Sequence, residues 1–320
     1  MEEELFSAIY NNNFERVTHI VNEEPLCVRV KNKNGWTLLD VAIARGKLEM
    51  ARFLWEMGGR PNLEIYFRNG KNTPVHEAAY FGKTAILKWV FTEKILSFDV
   101  LKIKDLWKRT PLDVAIENGR LEMVQFLWEM GGQPNLEQYS DRRWIPINHT
   151  TQYRIIATLK WVFAKGVLPL YVLNIKDCDK WTPLDHAIIW GNLEMAQFLF
   201  EQGGRPNLEN YRDGENTPVH KAVRWRNTTT LEWAFTKNVL PLSVLNVKEQ
   251  WKRTPLDIAI CFERWEIAVF LRRLSSVCTI FMAMHCAKRD HHCVLRCLPD
   301  ELLDMVVDKV AARLRIKVEW

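Results

Sequence analysis

The chain carries 44 basic and 39 acidic residues in 320, interspersed rather than run together, so its net charge of +5 does not describe a nucleic-acid surface. The amino terminus, Met1-Glu2-Glu3-Glu4-Leu5, lacks the basic start and apolar middle of a secretory signal. The longest uncharged apolar stretch, 274–287, falls short of the roughly 20 residues a membrane-crossing helix needs. Seven cysteines, odd in number and irregular in spacing, do not form a disulfide framework and suit a reducing compartment. The chain is therefore expected inside the cell, in cytoplasm or nucleus, with no membrane or nucleic-acid partner.

Residues 1–33 come first. Leu5, Ala8, Ile9, Phe14, Val17, Ile20 and Val21 fit two short amphipathic helices, an incomplete unit that closes the amino-terminal end. A periodic signal follows. Thr-Pro-Leu-Asp occurs at Thr110, Thr182 and Thr254, at intervals of 72 residues, with Thr-Leu-Leu-Asp earlier at Thr37. Between these copies lie Thr-Pro-Val-His at Thr73 and Thr217 and a degraded Ile-Pro-Ile-Asn at Ile145. The unit is thus about half the long period, and residues 34–274 hold seven of them. A repeat of this length marks a solenoid, because one helix pair cannot bury its own apolar face and stacks on its neighbours.

The copy at Thr110 shows why each unit folds. Thr110 caps a helix, Pro111 suits its first position, and Asp113 lies in the first turn, where a carboxylate is favoured. Leu112, Ala115 and Ile116 share one face, and Ala115 admits a close neighbour. Gly119 ends that helix. A second, from near Leu121, ends at Gly131-Gly132. Two copies are expected to be weaker: the fourth, with Ile145 at the cap and Arg154 at the helix-ending glycine, and the seventh, with Glu263 at that glycine.

Thr-Pro-Val-His-Glu-Ala-Ala from Thr73, and Gly-Arg-Leu-Glu-Met-Val-Gln-Phe-Leu-Trp-Glu-Met-Gly-Gly from Gly119, resemble ankyrin repeats over residues 1–274. The fold expected is all-α: an ankyrin solenoid of helix-turn-helix units with short finger loops and a carboxy-terminal helical cap. The resemblance implies that His76 and His220 tie a helix start to the adjacent loop. It also implies that a concave groove, lined by first helices and fingers, holds a protein partner. The positions it places there are Trp36, Tyr80, Phe81, Arg109, Trp144, Tyr153, Trp181, Trp190, Trp225, Arg253 and Phe262. Aromatic and arginine side chains dominate interface energetics, which supports binding; packing between repeats is the competing account. Trp55, Trp89, Trp128, Trp161 and Trp233, where the family carries leucine, are expected in the core.

Catalysis finds no local signature. Asp40, Asp113, Asp185 and Asp257 read as helix-start carboxylates rather than paired acids, and no nucleophile motif or phosphate loop is present. The expectation is a binding protein without cofactor or turnover.

Residues 275–320 change character. Leu298-Pro299-Asp300-Glu301-Leu302-Leu303, with Val306, Val307, Val310 and Leu314, has the pattern expected of an amphipathic helix and resembles a truncated F-box of the kind that ends some viral and bacterial ankyrin proteins. The resemblance implies docking to a cullin-type ubiquitin-ligase adaptor through Leu298, Pro299, Leu302, Leu303 and Val306, the repeats selecting a substrate. The other reading is a scaffold or inhibitor in which this helix only caps the solenoid. Cys278, Cys286, Cys293 and Cys297, with His285, His291 and His292, lack the short pairings of structural zinc sites, so no metal is expected.

Overall fold

The computed structural model describes residues 2–66, 72–137, 156–212 and 214–275. Among these there are helices and turns and no strand; Lys31 and Thr37 form one isolated antiparallel bridge. The chain divides into two compact units, residues 1–172 and 173–320. The fourth repeat motif at Ile145, with Arg154, and the whole tail from 276 lie outside the described residues.

In the first unit the helices are α1 (Glu2–Tyr10), α2 (Phe14–Glu23), α3 (Leu38–Arg45), α4 (Leu48–Glu56), α5 (Leu63–Tyr66), α6 (Pro74–Phe81), α7 (Thr84–Thr92), α8 (Pro111–Glu117), α9 (Leu121–Glu129) and α10 (Ile156–Ala164). The second unit holds α11 (Pro183–Ile189), α12 (Leu193–Glu201), α13 (Pro218–Arg224), α14 (Thr228–Thr236) and α15 (Pro255–Cys261), with a further helical stretch over 265–275. First helices stack on first helices: α1 on α3, α3 on α6 and α6 on α8 in one unit, α11 on α13 and α13 on α15 in the other. Second helices pack likewise, α4 on α7 and α7 on α9, then α12 on α14.

Helices this short do not persist alone in water, so their stability comes from caps and from shared burial. At Thr37, Thr110, Thr182 and Thr254 a capping box forms: the threonine hydroxyl accepts from the N–H of the aspartate three residues on, whose carboxylate accepts from the threonine N–H. Thr73 and His76 form the same box with an imidazole as acceptor. The first helices approach closely because they meet through alanine: Ala42, Ala78, Ala79, Ala115, Ala187, Ala222 and Ala259 have no exposed surface. Around them Leu39, Leu87, Leu127, Leu184 and Leu231 are fully buried, each contributing roughly 1.5–3 kcal/mol.

The capping aspartates also link each helix start to a later loop. Asp40 Oδ2 accepts from the Asn62 N–H at 3.1 Å, Asp113 Oδ2 from Asn135 at 2.9 Å and Asp185 Oδ2 from Asn207 at 2.9 Å. The asparagine side chains donate back to the finger carbonyls of Gly35, Lys108 and Lys180. A tyrosine completes two of these clusters: Tyr66 and Tyr211 donate to Oδ1 of Asp40 and Asp185 at 2.8 and 3.0 Å.

Of the five tryptophans expected in the core, Trp89 is buried, whereas Trp55, Trp128, Trp161 and Trp233 are half-buried. The helix period explains it. Leu54 and Leu127 occupy the inward positions with no exposure, so Trp55 and Trp128, one residue on, are rotated by about 100° towards the edge. There Arg60 stacks over Trp55 at 4.0 Å. The helix-ending position is left-handed at Gly46, Gly82, Gly119 and Gly191, and also at Arg226 (φ 65°) and Glu263 (φ 55°). The sixth repeat therefore shares the backbone strain expected of the seventh.

Candidate functional site: the face of first helices and finger loops

The finger before Thr110 is a tight turn organised by one acidic side chain. Asp105 Oδ1 accepts from the N–H groups of Trp107 and Arg109, both at 2.9 Å, and the Asp105 N–H donates to the Arg109 carbonyl. The same backbone bond joins Asp177 to Trp181 and Glu249 to Arg253. Lys108, Lys180 and Lys252 adopt positive φ at the turn, so the side chains on either side project from a fixed frame.

Among the sequence-predicted site residues of the first unit, the face brings Tyr80, Phe81 and Arg109 together. A cleft of about 580 Å³ is bordered by these three, Arg45, Glu77 and Trp107. Tyr80 is 46% exposed and meets Phe81 edge-on, with ring centroids 5.0 Å apart. Arg109 is buried. Its guanidinium is bound by Asp105 (Nε to Oδ2, 2.8 Å) and Glu117 (Nη1 to Oε2, 2.6 Å) and lies 4.5 Å from the Trp107 ring. The residue this finger presents to solvent is thus Trp107, 56% exposed, with Arg109 as its support. Trp36 is also buried, its N–H donating to Asn32 Oδ1 at 3.0 Å. Trp144 and Tyr153 lie outside the described residues.

In the second unit Trp190 and Trp225 meet edge-on at 4.3 Å, Trp190 half-buried and Trp225 half-exposed. Phe262 is exposed with Arg224 at 5.4 Å from its ring, and Trp181 is half-buried with Lys221 Nζ 3.7 Å from its ring. Arg253 Nε donates to Glu249 Oε1 at 2.6 Å, and its guanidinium lies 5.1 Å from the exposed Trp251 ring. His186 Nε2 and Asp177 Oδ2 are 2.6 Å apart beside Trp181, and this pairing helps hold the Asp177 carboxyl below its usual range against the opposing effect of burial.

Trp107 and Trp251 were absent from the sequence-based site. The available signal was the repetition of Trp-Lys-Arg-Thr at Trp107 and Trp251, 144 residues apart, in the same finger position. Among the described residues no group of three or more His, Cys, Asp or Glu side chains is disposed to hold a metal ion, and no helix is long and apolar enough to cross a membrane. The adaptor-docking positions Leu298, Pro299, Leu302, Leu303 and Val306 and the Cys/His cluster at 278–297 lie outside the described residues.

Stacked, capped helix pairs joined by fingers define a repeat fold, and the family models match part of it. Residues 62–138 match the family model for ankyrin repeats in three copies, and residues 179–208 match a single ankyrin repeat. Residues 62–138 and 179–208 thus match ankyrin repeats, on a frame that is all-α among the described residues, and such repeats imply protein–protein interaction. A protein of Saccharomyces cerevisiae described as "Probable 26S proteasome regulatory subunit p28" is 26% identical over 200 residues, covering 62% of this chain and 85% of that one. The "NAD-dependent deacetylase sir2B" of Dictyostelium discoideum is 23% identical over 283 residues, 80% of this chain but 35% of its own length. The mouse "Protein fem-1 homolog A-like" is 32% identical over 122 residues, 38% of this chain and 17% of that protein. The crystal structure of the human ASB11 ankyrin repeat domain overlays with a TM-score of 0.48 at 19% identity, covering 69% of this chain and 90% of that one.

Proposed function

We propose that first helices and fingers, in each of the two units taken by itself, grip a segment of a partner polypeptide by binding without turnover, inside the cell. The observation that carries this reading is the set of solvent-facing aromatic side chains Tyr80, Trp107, Trp225, Trp251 and Phe262, all on first-helix ends or finger loops. Rings left outward gain nothing from folding but can bury their area against a partner, and rings held by neighbouring cations, as Trp107 is by Arg109 and Trp251 by Arg253, lose little freedom on binding. Similarity to a yeast protein described as a proteasome regulatory subunit is in keeping with such a role. The test is capture of cellular partners by the intact chain and by two double variants, Trp107→Ala/Trp251→Ala and Trp190→Ala/Trp225→Ala. Loss of at least one partner with helicity retained is expected; full capture by both folded variants would refute the reading.

The pattern Leu298-Pro299-Asp300-Glu301-Leu302-Leu303 supports a finer reading, in which the tail recruits a cullin-ligase adaptor while the repeats choose the substrate. Deleting residues 290–320 distinguishes this from a scaffold or inhibitor whose tail only caps the repeats. A docking tail is removed without change in melting temperature and with loss of one cullin-complex partner; a cap is removed with a lower melting temperature and all partners kept.

A further inference from the structure

We propose that the face built by α11, α13, α15 and their fingers in the second unit receives an acidic stretch of the partner polypeptide, with carboxylates directed at Arg224, Arg253 and Lys221. The inference rests on the binding reading above and adds the charge of what is bound.

Two copies of one frame, 144 residues apart, carry opposite charge. The tryptophan and arginine of the finger are kept, Trp107 and Arg109 against Trp251 and Arg253. Around them Glu77 becomes Lys221, Tyr80 becomes Arg224 and Glu117 becomes Cys261. Consequently Arg109 is held by two carboxylates, Asp105 and Glu117, whereas Glu249 alone serves two guanidiniums. Glu249 is fully buried; Arg253 Nε lies 2.6 Å from its Oε1, while Arg224 Nη2 reaches its Oε2 only at 3.5 Å. The Arg224 Nε is buried and has no hydrogen-bond partner, so a ligand is met by the Nη atoms. In place of the second carboxylate Arg253 has the Cys261 sulfur, 3.7 Å from Nη1.

Both guanidiniums sit against rings, Arg224 on Phe262 and Arg253 on Trp251. Stacking engages the guanidinium face and leaves in-plane N–H donors for a carboxylate, whose bidentate geometry they match. Lys221 adds a third cation, with Asp177 and Asp179 as its acidic neighbours. Asp177 is itself paired with His186. Each cation lies beside a ring, Arg224 beside Phe262, Arg253 beside Trp251 and Lys221 beside Trp181, so the complementary ligand carries both acidic and apolar side chains. A phosphate backbone would call for an unbroken row of cations, which Asp179 and Glu249 interrupt.

The experiment uses the full chain and four fluorescent probes: a twelve-residue peptide of glutamates interspersed with leucine and serine, its glutamine counterpart, its lysine counterpart, and a single-stranded RNA of the same length. Anisotropy titration is expected to show the glutamate peptide binding about tenfold or more tighter than the glutamine peptide, with affinity falling as salt rises. Lys221→Gln should weaken it by about threefold or more with an unchanged melting temperature, Arg224→Gln should weaken it likewise in protein that keeps its helicity although Glu249 loses a partner, and Lys221→Glu should shift the preference towards the lysine peptide. Equal binding of glutamate and glutamine peptides, indifference to the substitutions in folded protein, or RNA as the tightest probe would overturn the proposal. If the tryptophan double variants lose partners while the glutamate peptide shows no preference, the binding reading survives and the charge assignment alone fails.

Discussion

His76 Nε2 lies 3.0 Å from the carbonyl oxygen of Arg109, 33 residues along the chain, which joins the start of one first helix to the finger of the next repeat. The tautomer follows from the partners. Nδ1 faces the Thr73 N–H at 3.4 Å and the Thr73 hydroxyl at 2.8 Å; an N–H can only donate, so Nδ1 accepts and Nε2 carries the proton given to the carbonyl. His220 repeats it in part: Nδ1 lies 2.7 Å from the Thr217 hydroxyl and Nε2 3.1 Å from the Val247 carbonyl, while the Thr217 N–H donates to the Glu215 carbonyl instead. The neutral ring is a structural part of the stack, and the finger that carries Trp107 is positioned through it.

Acid should therefore loosen the repeats through these imidazoles. Burial pushes the His76 pKa down to about 4 and lowers that of His220. Since the unfolded chain takes up the proton near the ordinary value of about 6.5, stability is intact above that pH and lost as pH falls towards about 4. Burial acts oppositely on Asp113, raised to about 6, which favours the folded state as pH falls from about 6 to about 4. His76→Gln should thus recover up to about 2 kcal/mol of the stability lost between about pH 7 and pH 5, and Asp113→Asn should make that loss steeper. Chemical denaturation of the three proteins at both pH values measures this; equal losses in all three would show that neither group titrates as its burial dictates.

The Asp185 cluster gives a prediction at constant pH. Tyr211 donates to Asp185 Oδ1, while Oδ2 serves the cap and the Asn207 N–H. Both side chains are buried. Tyr211→Phe leaves a buried carboxylate oxygen without its donor and should cost about 1–3 kcal/mol, with the Asp185 carboxyl rising further above its already raised pKa. Tyr66→Phe should act in the same way on Asp40. A denaturation midpoint unchanged in both variants would mean that solvent reaches these oxygens.

Much of the fold was legible because its signals are local. Thr110, Pro111 and Asp113 announce a helix start within four residues, since cap, fixed φ and first-turn carboxylate act on the same few peptide groups. The site was legible only in part. Arg109 was expected to face the groove, but its direction is set by Glu117 on the following helix, and that pairing exists only once the finger closes over α8. With Arg109 drawn inward, Trp107 is left outside, which no local pattern announces. The misassigned core tryptophans have a similar origin: substituting for the family's leucine does not give Trp55 an inward direction when Leu54 already fills the interior.

Backbone handedness at the ends of the first helices yields the last prediction. Gly46, Gly82, Gly119 and Gly191 stop their helices with φ between 63° and 69°, while Arg226 and Glu263 take the same role at 65° and 55° with a Cβ that crowds the following carbonyl. Leaving that region would release the bonds that close the helix: the Arg226 N–H donates to Val223, and the Glu263 N–H to Ile260. Glu263→Gly and Arg226→Gly should each stabilise the chain by about 1 kcal/mol, the relief of strain exceeding the greater freedom glycine gives the unfolded chain. The converse change, Gly82→Ala, should destabilise, because its Cβ would meet Arg120 Cδ at 3.0 Å in addition to the strain of φ 68°. Amide hydrogen exchange across α13 and α15 reads the effect locally, with slower exchange expected in the glycine variants. Faster exchange there would mean that the arginine and glutamate side chains stabilise these turns by more than their backbone strain costs.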